Sequence, residues 1–164
     1  MATKRLTRMA ILTAVALSIF IVELQLPALA PIPGIKLGLA NIITVYAMFA
    51  LGPVDTACIL IARILLGSMF SGQMMALFYS LAGGLLCYLV MLIMRRFFTQ
   101  KQIWICSIFG AAAHNLGQIA AAILITHTPA LIYYLSVLMV SGIIAGTFTG
   151  LCAQFVVNKL PRRK

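Results

Sequence analysis

Six apolar stretches divide this chain, and short polar or turn-forming segments separate them. The first covers residues 8–26, and a helix needs about 20 apolar residues to cross the hydrocarbon of a bilayer. Pro27, Pro31, Pro33 and Gly34 follow. Proline fixes φ and removes a backbone donor, so this segment reads as a stiff, non-helical loop. The second stretch covers residues 36–51 and is closed by Gly52-Pro53, and the third covers 54–68. Both are short for a crossing, which calls for local thinning of the bilayer or screening by neighbouring helices. Ser71, Gly72 and Gln73 form the next turn. The fourth stretch, 74–94, stops at Arg95 and Arg96; the fifth covers 103–125; His127, Thr128 and Pro129 turn the chain into the sixth, 130–157.

Composition fixes the environment. Hydrophobic residues make up 63% of the chain and charged residues 9%, and the acidic residues are Glu23 and Asp55 alone. A soluble domain of 164 residues cannot clothe itself in so little polar surface, so the chain reads as one integral membrane domain spanning residues 1–164. Ten of the 12 Lys and Arg residues fall in three clusters: Lys4, Arg5, Arg8; Arg95, Arg96, Lys101; and Lys159, Arg162, Arg163, Lys164. Basic residues flanking spans mark the cytoplasmic side. An even number of crossings must then separate each pair of clusters. The expected fold is all-α, with six transmembrane helices and both termini cytoplasmic. The net charge of +10 is accounted for by these flanks, with no basic face left to engage nucleic acid. Ala28-Leu29-Ala30 resembles a signal cleavage site. Pro31 would follow the cut, and the preceding apolar run is long, so a retained first helix is expected. Cys58, Cys87, Cys106 and Cys152 lie in separate apolar segments without a CxxC pair, which fits small packing residues and neither metal nor disulfide.

No phosphate-binding GxxxxGK[ST], HExxH or GxSxG motif is present, and two distant carboxylates cannot build an acidic Mg²⁺ site. The expectation is a protein without catalysis, metal or cofactor. Its chemistry then lies in polar side chains set into apolar helices, where they are costly and mark functional sites by default. One group is expected near the outer face: Glu23, Lys36, Asn41 and Arg63. Lys36 and Arg63 suit an anion, with Glu23 as partial counter-charge; the alternative is a helix-tying pair of Glu23 with Arg63 or Lys36. A second group lies in the fifth stretch. His114 and Gln118 share a helix face at i, i+4, Asn115 stands beside them, and Ala and Gly surround all three. Ligand contact and interhelical hydrogen bonding are equal readings there. Gln73, Tyr133 and Tyr134 sit at outer ends, where aromatics are usually interfacial anchors and occasionally line a pocket. Small residues recur every four positions at Ala10, Ala14, Ser18 and at Gly142, Gly146, Gly150. Both are close-packing faces. The second is expected to pack within the chain; the first suits a partner subunit equally well.

The segment Pro31-Ile-Pro-Gly-Ile-Lys-Leu-Gly-Leu-Ala-Asn41, followed by Gly52-Pro53, resembles the Gx transporter family, whose members are often labelled heptaprenyl diphosphate synthase component I. That family in turn resembles the substrate-binding S components of energy-coupling factor (ECF) importers, and the resemblance covers essentially the whole chain. It implies a six-helix protein of the bacterial cell membrane that captures a small molecule near its outer face, beneath the loop between the first two helices. The Ala10-Ile-Leu-Thr-Ala14 motif would dock on a transmembrane coupling subunit served by two ATPases. The leading expectation is therefore an S component for a small, acidic, amphipathic molecule such as a vitamin, quinone or isoprenoid precursor. The alternative is a membrane accessory subunit of prenyl diphosphate or menaquinone synthesis, and a third reading is a solitary carrier.

Overall fold

The computed structural model describes residues 2–25, 38–72 and 74–159. The described residues form an all-α bundle without strands: α1 (Ala2–Leu24), α2 (Asn41–Ala50), α3 (Pro53–Ser71), α4 (Met74–Met94), α5 (Ile103–Thr126) and α6 (Ile132–Lys159). Single 3₁₀ turns, Gln100–Gln102 and Pro129–Leu131, lead into the last two helices. The boundaries follow local backbone chemistry. Gly52, at φ +108, ends the α2 segment, and Pro53 takes the first turn of α3, where its missing N–H costs nothing. Gly72 closes α3 at φ +63 and His127 closes α5 at φ +51.

Five of these helices are long and apolar enough to cross a membrane. The exception is α2, whose 10 residues rise about 15 Å. The expected second crossing, 36–51, is therefore helical only from Asn41 within the described residues. The sequence pattern did not show that Gly38 sits at φ +78, a left-handed conformation that a continuous helix cannot contain. The short helix is tolerated because α2 is wrapped by the rest of the bundle. Asn41, Ile43, Thr44, Val45, Ala47, Met48 and Phe49 are all buried, and α1, α3, α4, α5 and α6 all pack against it. Interrupted backbone at membrane depth is stable when protein, not lipid, surrounds it.

The helices alternate in direction. Asp55 at the start of α3 holds Arg5 near the start of α1, and Phe20 packs on Gly67 further along the same pair. The Tyr88 hydroxyl donates to the Pro53 carbonyl at 3.2 Å, and Arg95 approaches the Met48 sulfur at 4.0 Å. The end of α4 thus lies beside the end of α2 and the start of α3. The Cys106 thiol reaches the Met91 carbonyl at 3.8 Å, and Gly150 sits against Trp104. Arg5, Arg95, Arg96, Lys101 and Lys159 consequently collect at one end of the bundle, as the charge clusters required. Arg162, Arg163 and Lys164 lie outside the described residues.

Two apolar clusters bracket the centre of the bundle. Near the basic end, Met48 and Phe49 pack with Cys87, Met91, Ile103, Cys106 and Ala153. Toward the opposite end, Tyr79 packs with Ile119, Ala122, Leu131 and Leu138. A third cluster, Ala16, Ile43, Ala47 and Ile59, joins α1, α2 and α3. The outside is as apolar as the inside, with Val22, Leu65, Phe78, Ile93, Leu124, Ile144 and Phe148 all exposed. An apolar exterior of this extent belongs in lipid.

Glycine sets the spacing of the last three helices. The Gly142, Gly146 and Gly150 stripe packs within the chain, on α5: a methyl at Gly146 would meet Ala111 Cβ at 2.9 Å, and one at Gly150 would meet Trp104 Cα at 2.6 Å. At Gly117 an added Cβ would lie 2.7 Å from the Ala82 carbonyl oxygen and 2.9 Å from Gly83 Cα, both backbone atoms of α4. Gly→Ala in a helix interior normally stabilises by roughly 0.5–1 kcal/mol. Gly117→Ala is expected to reverse that sign and to cost about 1–3 kcal/mol, the usual range for overpacking against an unyielding neighbour. A lowered thermal midpoint of the detergent-purified protein checks it.

Candidate functional site

The two polar groups expected from sequence meet in one place, and Gly38 is where they meet. The Gly38 N–H donates to Glu23 Oε1 at 2.5 Å. A Cβ built on Gly38 would lie 2.9 Å from Asn41 Nδ2 and 3.1 Å from His114 Cδ2. Asn41 Oδ1 accepts from Arg63 Nη2 at 3.4 Å. On the far side, Gly83 of α4 brings its backbone against Gln118 Cγ and the His114 ring, where a Cβ would stand at 2.8 and 3.0 Å. Side chains from α1, α2, α3 and α5 thus converge, and two glycines supply the room.

Each helix delivers its residue for a local reason. Glu23 is on the last turn of α1, and its carboxylate faces the backbone N–H groups of Gly38, Leu39 and Ala40 at the entry to α2. Those N–H groups have no helical partner, and a carboxylate satisfies them while complementing the positive end of the helix dipole. Asn41 is the first residue of α2. Arg63 is in the middle of α3 and only 4% exposed. His114 and Gln118, one turn apart on α5, are 3% and 1% exposed. Arg63 and Glu23 attract one another across the cluster, but the contact ion pair among the described residues is Arg5 with Asp55. Glu23 therefore acts first as the counter-charge of α2 and only at longer range as that of Arg63.

The cluster is incompletely satisfied. Arg63 Nε and Gln118 Oε1 are buried without a hydrogen-bond partner among the described residues, whereas the His114 ring has the Gly83 backbone as a polar partner. A buried polar atom left unpaired costs about 1–3 kcal/mol, more for a charged group. Two such atoms, Arg63 Nε and Gln118 Oε1, therefore stand in one cluster inside an apolar bundle.

The other candidate residues fall elsewhere. Asn115 turns to the opposite side of α5, where its amide donates to the Leu138 carbonyl of α6 and fits against Gly142, while its own Oδ1 has no partner. Tyr134 and Tyr133 lie on the outside of α6, Tyr133 being 79% exposed. Ala10, Ala14 and Ser18 form an exposed strip along α1, with the Ser18 hydroxyl bonded to the Ala14 carbonyl at 3.0 Å. Lys36 and Gln73 lie outside the described residues, as do Pro27, Pro31, Pro33 and Gly34. Sequence reasoning gave no role to Gly38 or Gly83. Gly38 did lie within the segment that carried the family resemblance, and an isolated glycine within an apolar run signals a break or a close approach. Gly83, adjacent to Gly84, reads in the same way.

Residues 12–156 match the family model described as heptaprenyl diphosphate synthase component I. The chain belongs to this family. No curated protein and no solved structure matches it. The match takes in the whole cluster, from Glu23 to Gln118. The family's name is that of an isoprenoid-synthesis component, and "component I" implies at least one companion component.

Proposed function

We propose that this chain is a membrane-embedded binding subunit that holds an amphipathic small molecule in the Gly38 cluster and carries out no bond-making step itself. The observation that carries the reading is Arg63: a guanidinium buried in mid-helix of an apolar bundle, with Nε unpartnered and Gln118 Oε1 in the same cluster equally short of a partner. Ionisable groups at membrane depth are retained where a substrate or ion uses them.

The family's name supports a cargo drawn from isoprenoid or menaquinone synthesis, with the other component of the synthase as partner. In this reading the subunit presents or receives a lipid-like molecule while a soluble partner performs the chemistry. A second reading is favoured by a different observation, the exposed Ala10, Ala14 and Ser18 strip on α1. Small residues on a lipid-facing helix allow another membrane helix to approach closely. An S component docked on an ECF coupling subunit and its two ATPases would use such a strip. Both readings place the protein in the cell membrane, and the basic end of the bundle supports cytoplasmic termini.

Partner capture separates the two. Crosslinking of the tagged chain in its native membrane is expected to recover a prenyl synthase subunit in the first case and a coupling subunit with ATPases in the second. Ala10→Leu combined with Ala14→Leu is expected to remove a membrane partner by at least tenfold while leaving ligand retention unchanged. Recovery of a coupling subunit that is indifferent to the double substitution would reject the α1 docking face.

A further inference from the structure

The polar inventory of the cluster narrows the head group that it accepts. This step rests on the binding-subunit reading above. Among the described residues the cluster holds one guanidinium, Arg63, one carboxylate, Glu23, an imidazole, His114, and two amides, Asn41 and Gln118. The formal charges of Arg63 and Glu23 cancel.

Proteins hold a diphosphate with several cations, with a divalent metal on acidic side chains, or with the free N–H groups of a helix N-terminus. Among the described residues each device is absent or already committed. One cation among them, Arg63, faces the site, and Lys36, two residues before Gly38, lies outside the described residues. No group of three His, Cys, Asp or Glu side chains able to hold a metal occurs among the described residues. The helix N-terminus in the cluster, that of α2, is occupied by the Glu23 carboxylate.

Hydrogen-bond direction points the same way. Arg63 Nε needs an acceptor, whereas Gln118 Oε1 needs a donor. An ionised diphosphate offers acceptors only. A head group that pairs both ends of the cluster must carry a donor close to an acceptor, as a hydroxy acid, an amide or a quinol does. We infer that the ligand of this site has a head group with an adjacent donor and acceptor, a pairing that an ionised prenyl diphosphate lacks.

Four probes test this against the purified full-length protein in nanodiscs by titration calorimetry. Farnesyl diphosphate, farnesoic acid and farnesohydroxamic acid share one apolar body and differ in head group; 6-hydroxy-2-naphthoic acid is a compact hydroxy acid. At least one of the two donor-bearing probes, the hydroxamic acid or the hydroxynaphthoate, is expected to bind at least tenfold tighter than the diphosphate. Gln118→Met, which keeps side-chain length, is expected to erase the advantage of the hydroxamic acid over the plain acid with the thermal midpoint held. Equal or tighter binding of farnesyl diphosphate would overturn the head-group inference and leave the binding-subunit reading standing. Absence of saturable binding by all four would overturn both.

Discussion

Arg63→Met is expected to abolish ligand retention and to leave the empty protein at least as stable as the wild type. The two halves of this result separate a binding residue from a structural tie. Arg63 is almost wholly buried, its Nε lacks a partner, and its hydrogen bond to Asn41 is a long 3.4 Å. The bundle therefore carries the cost of a buried charge with little return in the absence of ligand. Replacing a buried charged side chain by an apolar one of similar length is often neutral or stabilising. Glu23 is not stranded by the change, because its carboxylate faces the N–H groups at the entry to α2. A hydrogen bond to a charged group contributes about 1.5–3 kcal/mol, so its loss corresponds to roughly 10- to 150-fold in affinity. Calorimetric affinity and the detergent-phase thermal midpoint, measured on the same preparations, check both halves. A large fall in midpoint would make Arg63 a helix-tying group.

Gly38→Ala carries the second large effect, by a different route. Gly38 holds φ +78, where a Cβ costs about 1–2 kcal/mol in backbone strain. The same Cβ would sit 2.9 Å from Asn41 Nδ2 and 3.1 Å from the His114 ring. Relief by backbone movement would drag the Gly38 N–H away from Glu23 and uncap α2. Relief by side-chain movement would displace two residues of the cluster. Either way, ligand affinity is expected to fall more than tenfold. Gly72→Ala serves as the comparison. Gly72 is also at positive φ, but an added Cβ there meets nothing within 4 Å. It shares the strain without touching the site, so its affinity is expected to match the wild type. Equal losses in the two variants would show that backbone strain alone, and not the crowding of Asn41 and His114, explains the Gly38 effect.

The architecture was legible where it depends on hydropathy and local breakers. The apolar runs located the five long helices, although α1 begins at Ala2, six residues before its run, and α3, read as short, has 19 residues and is long enough to cross. Gly52-Pro53 marked the junction of α2 and α3 because both residues act on the backbone directly. The basic clusters required an even number of crossings between them; the helices alternate in direction, but α2, at 10 residues, does not count as a crossing by length. The start of α2 was not legible. It depends on a left-handed Gly38 held by Glu23 from another helix, 15 residues away in sequence, and no local pattern encodes such a contact.

The site was legible as a list but not as an arrangement. Costly polar residues in apolar helices singled out Glu23, Asn41, Arg63, His114, Asn115 and Gln118, all of them buried. Two groups were expected, and they form one cluster because α2 carries Asn41 into the middle of the bundle, against α5. Helical spacing placed His114 and Gln118 on one face. It did not reveal that Asn115, one residue along, turns to α6 and the Leu138 carbonyl. Gly83 carries no side chain to attract notice, and its contribution is the space it leaves for Gln118 and His114.

The central claim is that the Gly38 cluster holds a specific small molecule. The most direct measurement is mass spectrometry of the small molecules that copurify with the detergent-solubilised wild-type chain and with Arg63→Met, prepared side by side. The account requires one stoichiometric species in the wild type, distinct from bulk lipid, and its loss from the variant. Identical small-molecule content in the two preparations would contradict it.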